Sequence, residues 1–159
     1  MKAQKCLSTA VRIRLARTYF SRMIEKNWGR IIFISSESGV QIPEEMIHYG
    51  VTKTAQIAVA RGLAELTKGT AVTVNTVLPG PTFSEGVGTF IKHLATEKNK
   101  TMEVMEKEFF QTVRPTSVLR RFIDSDEIAS LVAYLSSDLS IATNGAAVRA
   151  DGGVIKSAI

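Results

Sequence analysis

Apolar positions along the chain follow two periods. From Leu7 through Ala10, Val11, Ile13, Leu15, Ala16, Tyr19, Phe20, Met23 and Ile24 they recur mostly three and four apart, predicting an amphipathic helix over residues 3–26. Asn27-Trp28-Gly29 reads as its stop, with Gly29 suited to the left-handed C-cap. Ile31-Ile32-Phe33-Ile34 is a continuous apolar run, the pattern of a strand buried on both faces. Residues 35–47, with Gly39 and Pro43, read as loop, and the Ala-rich stretch 49–67 as a second helix closed by Lys68-Gly69. Residues 71–78 predict a second strand, ended by Pro79-Gly80-Pro81. The more polar stretch 82–123 predicts short helices near 87–97 and 101–112. Asp124 with Glu127 three residues on resembles a capping arrangement before a helix over 128–136. Asn144-Gly145 leads into a short strand, 146–150, that ends in Asp151-Gly152-Gly153.

Strands alternating with helices predict an α/β class: a doubly wound parallel sheet with flanking helices and right-handed crossovers. At 159 residues and 45% apolar content the chain can bury a real core, and no internal repeat or linker divides it, so one domain is expected. Cys6 is the only cysteine, which excludes a disulfide within one chain and suits a reducing compartment; a cytoplasmic location is expected. The net charge of +5 is unevenly placed. Residues 1–30 hold eight basic side chains against Glu25 alone, a net of +7, which leaves −2 for the rest. A basic, acid-poor start is also what a mitochondrial transit peptide, a nucleic-acid-binding helix or a membrane-surface helix shows. Here it runs straight into a strand with no small-residue cleavage site and no interleaved aromatics, so the expectation is a surface helix with a basic face. Neither nucleic acid nor a membrane is expected as a partner, and no apolar run reaches the ~20 residues of a membrane span.

Tyr49 and Lys53 lie four apart at the start of the second helix, so their side chains share one face. Ser36 lies thirteen residues before Tyr49, just past the first strand, and Pro79-Gly80 lies just past the second. In an open parallel sheet the ligand crevice lies outside the carboxyl ends of the strands, so all of these residues are placed at one functional edge. Ser35 and Ser38 flank Ser36 at the wrong offset, and Asn75 within a strand reads as a structural hydrogen-bonding residue. Glu44 and Glu45 read as solvated loop charges bordering the entrance. His48 and His93 lack the spacing of metal ligands, and no metal site is expected.

Ile34-Ser35-Ser36, Tyr49-Gly50-Val51-Thr52-Lys53, Asn75-Thr76-Val77-Leu78-Pro79-Gly80 and Asp151-Gly152-Gly153 occur in this order over residues 30–153. Together they closely resemble the short-chain dehydrogenase/reductase family. The resemblance implies a Rossmann-like domain, NAD or NADP as cofactor, and hydride transfer between a small-molecule carbonyl and an alcohol. Tyr49 would be the acid/base, and Lys53 a cation that lowers the phenol's pKa and binds the nicotinamide ribose. Ser36 would hold the reacting oxygen. Pro79, Gly80, Thr82 and Ser84 resemble the stretch that contacts the nicotinamide end. Residues 82–123 resemble the substrate lid, where Phe90, Phe109 and Phe110 would line either the substrate or a core. Helices 3–26 and 49–67 resemble the family's dimer pair, and an exposed sheet edge invites pairing with another chain, so a homo-oligomer is expected.

The sequence also departs from the family. It holds no Gly-x-Gly-x-x-Gly turn for a pyrophosphate, since Gly86-Val87-Gly88 lacks the third glycine, and no Asn-Asn-Ala-Gly stretch. Ser8 stands twenty-eight residues before Ser36, where the family has a catalytic asparagine. The expectation is therefore a truncated form carrying the C-terminal part of the domain. It would be either an oxidoreductase or an interaction scaffold of the same fold that binds no cofactor.

Overall fold

The computed structural model describes the backbone of residues 2–158 and the side chains of 9–89 and 91–158; the side chains of Cys6, Leu7, Ser8 and Phe90 lie outside the described residues. Helix α1 (Lys2–Glu25) leads into strand β1 (Gly29–Ile34), followed by α2 (Ile47–Glu65) and β2 (Val72–Pro79). Then come β3 (Thr82–Phe83), α3 (Glu85–Glu97), α4 (Met102–Thr112), β4 (Ile123–Asp124), α5 (Ser125–Ser136) and β5 (Ala147–Ala150). Short 3-10 turns occupy Glu37–Gly39, Glu44–Met46 and Asp138–Ser140.

The main sheet runs β1-β2-β5, all parallel, with Ile34 beside Val77 and Pro79 beside Ala150. This is the expected parallel sheet with flanking helices. β2 is its centre: Val72 through Leu78 are all buried, as a strand covered on both faces must be. Among the described residues β1 pairs with β2 and is only half covered, with Ile34 exposed, so its apolar run is not buried on both faces here. On one face of the sheet Ala16 of α1 meets Phe33, Ala60, Ala64 and Val74, where small residues let the helices lie close. The apolar stripe of α1 is only partly covered, since Val11, Ile13, Leu15 and Tyr19 remain exposed.

The α1 stop differs from expectation. Asn27, not Gly29, takes the left-handed conformation, and the Trp28 N–H closes back on the Met23 carbonyl at 3.1 Å, so Gly29 is already in β1. Asn75 behaves as the sequence indicates, holding the β5 approach through the Thr143 carbonyl (2.7 Å) and the Ala146 N–H (3.0 Å). The Asp124–Glu127 capping box is formed at the start of α5. Residues 82–123 build a second apolar cluster of Ile91, Ala95, Met105, Phe110 and Phe122, with Phe109 packed against it. Phe110 sits 5.2 Å edge-on from Phe122, so Phe109 and Phe110 serve this core. The parallel β3–β4 pair beneath it was not legible beforehand, because two residues carry no periodicity. No described helix is long and apolar enough to cross a membrane.

Burial makes β2 the expected weak point. Leu78→Ala should lower unfolding stability by about 2–5 kcal/mol, whereas Leu139→Ala, at an 82% exposed side chain, should change it by less than about 0.5 kcal/mol. Urea denaturation of both variants checks this contrast.

Candidate active site

Because the three strands are parallel, their carboxyl ends open on one edge, and Ser36, Gly80 and Asp151 follow them there. Two glycines shape this edge by close backbone approach. Gly80 backs onto Asp151, whose carbonyl oxygen would lie 2.5 Å from any Cβ at position 80. Gly39 lies against α2, where a Cβ would come 3.0 Å from the Lys53 backbone carbon and 3.1 Å from the Thr54 nitrogen. The loop is stitched down at that point. Ser35 Oγ donates to the Lys53 carbonyl (2.8 Å) and Thr54 Oγ1 to the Gly39 carbonyl (2.7 Å).

These contacts bring Ser36, Tyr49 and Lys53 together. Ser36 is buried with extended backbone (φ −169°), and its Oγ accepts the Ser38 N–H at 3.2 Å and donates to Glu37 Oε2. Tyr49, half-buried in the first turn of α2, hydrogen-bonds the Ser36 hydroxyl. Lys53 reaches back over the Tyr49 ring, its Nζ 5.4 Å from the ring centroid, and donates to the carbonyls of Ile34 (3.1 Å) and Ser35 (2.9 Å).

The electrostatics differ from the sequence expectation. The Tyr49 phenol is pushed above its ordinary value: burial is the largest cause and Glu37 adds to it, while the Ser36 hydroxyl and Arg12 pull the other way. The Lys53 ammonium lies over the ring face and points at main-chain carbonyls, so it does not produce the lowered phenol expected of it. Burial, with Arg12 assisting and Glu37 opposing, instead brings Lys53 itself down to about 8.

Three charged residues at this site escaped the sequence reading. Glu37 is buried, and Arg114 Nε bonds its Oε1 at 3.1 Å, with Arg114 Nη1 3.8 Å from Glu45. Only the adjacency of Glu37 to Ser36 hinted at it; Arg114 is 77 residues away. Arg12, whose charge acts on both Tyr49 and Lys53, lay within the basic stretch already noted. Glu44 and Glu45 are exposed, as expected. Ser35 and Ser38 are buried, and Ser35 serves the loop contact above. Thr82 Oγ1 donates to the Gly80 carbonyl, and Ser84 caps α3 by accepting the Val87 N–H.

In an open parallel sheet the crevice outside the carboxyl ends of the strands is where ligands bind, and Ser36, Tyr49 and Lys53 gather there. The chain belongs to the short-chain dehydrogenase/reductase family: the family model described as Enoyl-(Acyl carrier protein) reductase matches residues 5–155. It is 51% identical over 145 residues to the uncharacterized oxidoreductase YvaG of Bacillus subtilis (strain 168), and 43% identical over 145 residues to YvrD of the same strain. Each alignment covers 91% of this chain and 55% of the relative, so the chain spans about half the length of the relatives it matches. The L-sorbose reductase from Gluconobacter frateurii, solved with NADPH and L-sorbose, is similar in structure with a TM-score of 0.81 and 25% identity. That likeness covers 91% of this chain and 54% of the reductase.

Tyr49, Lys53 and the backbone after β2 place polar groups at the carboxyl edge of the sheet. A pyrophosphate is less well served, because α3, α4 and α5 begin with Glu85, Glu103, and Asp126 with Glu127, whose charges oppose a phosphate at the helix N-terminus.

The Lys53 and Tyr49 shifts predict a pH signature. With Lys53 at about 8 in the folded chain, the unfolded chain binds more protons from about pH 8 up to the ordinary lysine range. Stability therefore rises with pH through that window, and the gain is lost as pH falls through about 8. Beyond pH 10 the raised Tyr49 phenol acts in the opposite sense, since the folded chain keeps a proton that the unfolded chain has released. Urea midpoints measured from about pH 7 to pH 10 should climb in the wild type and climb less in Lys53→Met. Parallel profiles would remove Lys53 as the cause.

Proposed function

We propose that this chain carries the proton-transfer part of an NAD(P)-dependent oxidoreductase site acting on a small carbonyl or alcohol. The observation that supports it is the gathering of Ser36, Tyr49 and Lys53 at the carboxyl edge of the sheet, with Lys53 over the Tyr49 ring and bonded to the Ile34 and Ser35 carbonyls. NAD or NADP, when bound, would supply or accept the hydride. Tyr49 would supply the proton: its raised phenol stays protonated at neutral pH, the form needed to protonate a carbonyl oxygen as it is reduced. In the oxidative direction the phenol would first release its own proton to solvent, and the resulting phenolate would take the alcohol proton. Lys53, anchored on the Ile34 and Ser35 carbonyls, holds a positive charge beside the phenol and would meet the nicotinamide ribose. Pro79, Gly80, Thr82 and Ser84 would border the nicotinamide, and the 82–123 lobe would cover the substrate.

A scaffold reading without cofactor binding is favoured by a different observation. β1 presents an unpaired edge beside a groove of about 400 Å³ lined by Leu15, Tyr19, Met23 and Ile31–Ile34, with Leu15 and Tyr19 exposed. Such an edge favours pairing with another chain, and we include self-association in the proposal.

Titration with NADH and NADPH distinguishes the two readings. The oxidoreductase reading expects a rise in Tm with cofactor and, with a complementing chain where one is needed, turnover that Tyr49→Phe lowers about a hundredfold or more at nearly unchanged cofactor affinity. An unmoved Tm at millimolar cofactor would favour the scaffold, and full turnover in Tyr49→Phe would refute the role of Tyr49. Light scattering across micromolar concentrations should show a mass above one chain.

A further inference from the structure

A cleft of about 200 Å³ lies between the loop that joins Ser36 to Tyr49 and the segment after α4. Gln41, Ile42 and Glu45 line it from the loop, Arg114 and Thr116 from the segment, and Val154 from the end of the chain. Two contacts tie it to the candidate active site. Ile42 packs on the Gly50 backbone, where a Cβ would stand 2.5 Å from Ile42 Cγ2, and Gly50 follows Tyr49 directly. Arg114 Nε donates to Glu37 Oε1 at 3.1 Å, and Glu37 follows Ser36 directly. A molecule reacting at Tyr49 therefore has this cleft beside it. The cleft offers donors and acceptors together. Arg114, nearly enclosed, commits Nε to Glu37 and Nη1 to the Val113 carbonyl at 2.9 Å, while Nη2 makes no hydrogen bond among the described residues. Glu45, 57% exposed, lies 3.8 Å from Arg114 Nη1, too far for a hydrogen bond, so its carboxylate accepts none from a described residue. Thr116 Oγ1 donates to the Val154 carbonyl at 2.7 Å, which leaves its oxygen able to accept.

Two carboxylates, Glu37 and Glu45, stand here against one guanidinium, a net of −1. A carboxylate or phosphate ligand meets an arginine whose charge Glu37 already answers and a second carboxylate that repels it. A bare hydrocarbon chain strips water from Glu45 and Arg114 and returns no hydrogen bond. A hydroxyl returns both: it accepts from Arg114 and donates to Glu45 across the 3.8 Å gap that they leave. We infer that this cleft is a hydroxyl-recognising subsite, and that the substrate class of the site is a neutral, polyhydroxylated carbonyl compound or its alcohol, held by Glu45 and Arg114. A cavity of roughly 150 Å³ holds a molecule the size of benzene, so this cleft has room for a short run of hydroxylated carbons. Calling the occupant a substrate rests on the oxidoreductase reading of Tyr49; the binding of hydroxyls does not.

The test needs neither cofactor nor turnover. Saturation-transfer NMR on the full chain, with ribitol, ribonate and pentanol as probes at equal millimolar concentration, should show ribitol binding in preference to the other two. Heteronuclear spectra should place the shifts at the Arg114 Nε–H and the Gln41 side-chain amide. Glu45→Ala should weaken ribitol binding about tenfold, the loss of a hydrogen bond to a charged group. Glu45→Lys changes the local net charge from −1 to +1 and should turn the preference towards ribonate. Position 45 is exposed and outside both apolar clusters, so both variants should fold as the wild type does. Ribonate or pentanol binding as well as ribitol in the wild type, ribitol binding unmoved in Glu45→Ala, or no transfer to any probe would each overturn the inference. The cofactor titration decides the oxidoreductase reading separately. Ribitol bound at this cleft with no response to NADH or NADPH keeps the hydroxyl subsite and removes that reading, and a cofactor response with no ribitol bound does the reverse.

Discussion

The contact between the Gly39 backbone and the second turn of α2 holds the carboxyl edge in its working shape. Only a residue with no side chain lets the loop lie this close, since a Cβ at position 39 would stand 3.0 Å from the Lys53 backbone carbon and 3.1 Å from the Thr54 nitrogen. The same loop is then pinned by Ser35 to the Lys53 carbonyl, by Thr54 to the Gly39 carbonyl, and by Lys53 Nζ to two carbonyls at the end of β1. Ser36 is thereby delivered to Tyr49 by backbone geometry, with little demand on side-chain freedom. Its extended conformation lets it start the 37–39 turn and face α2 at once.

The same geometry explains the electrostatics. A lysine four residues after a tyrosine on a helix covers the ring rather than reaching the hydroxyl, more so when its ammonium is drawn to main-chain carbonyls. The cation therefore sits near the phenol without reversing the effect of burial, and the phenol stays protonated. Glu37 acts in the same direction. A buried carboxylate bonded to the Ser36 hydroxyl is tolerable because Arg114 satisfies its outer oxygen. The cost of burying that pair is one reason to look for a role in the site and not in stability alone.

Much of this was legible in the sequence, and the exceptions have identifiable causes. Long periodic segments were readable: α1, α2 and β2 fall close to their expected bounds, as does the capping box at Asp124 and Glu127. Ser36, Tyr49 and Lys53 were readable because their spacing is set by one strand end and one helix turn. β1 read as doubly buried because an apolar run records composition and not how many neighbours a strand has. The helix stop falls at Asn27 and not at Gly29 because Asn27 can adopt the same left-handed conformation, with the closing bond from Trp28. The Glu37–Arg114 pair leaves no local pattern across 77 residues, and only folding brings the 82–123 lobe against the loop. Membership of the short-chain dehydrogenase/reductase family accords with the order of the motifs.

The claim on which the site depends is that the 36–39 backbone rests on α2 and so places Ser36 on Tyr49. Proton–proton nuclear Overhauser contacts between the Ser36 β-protons and the Tyr49 ring measure it most directly, compared between the wild type and Gly39→Val. The account predicts that the contacts are present in the wild type and lost in Gly39→Val, while the buried β2 amides stay protected from exchange. Their absence from the wild type, or their survival in Gly39→Val, would contradict it.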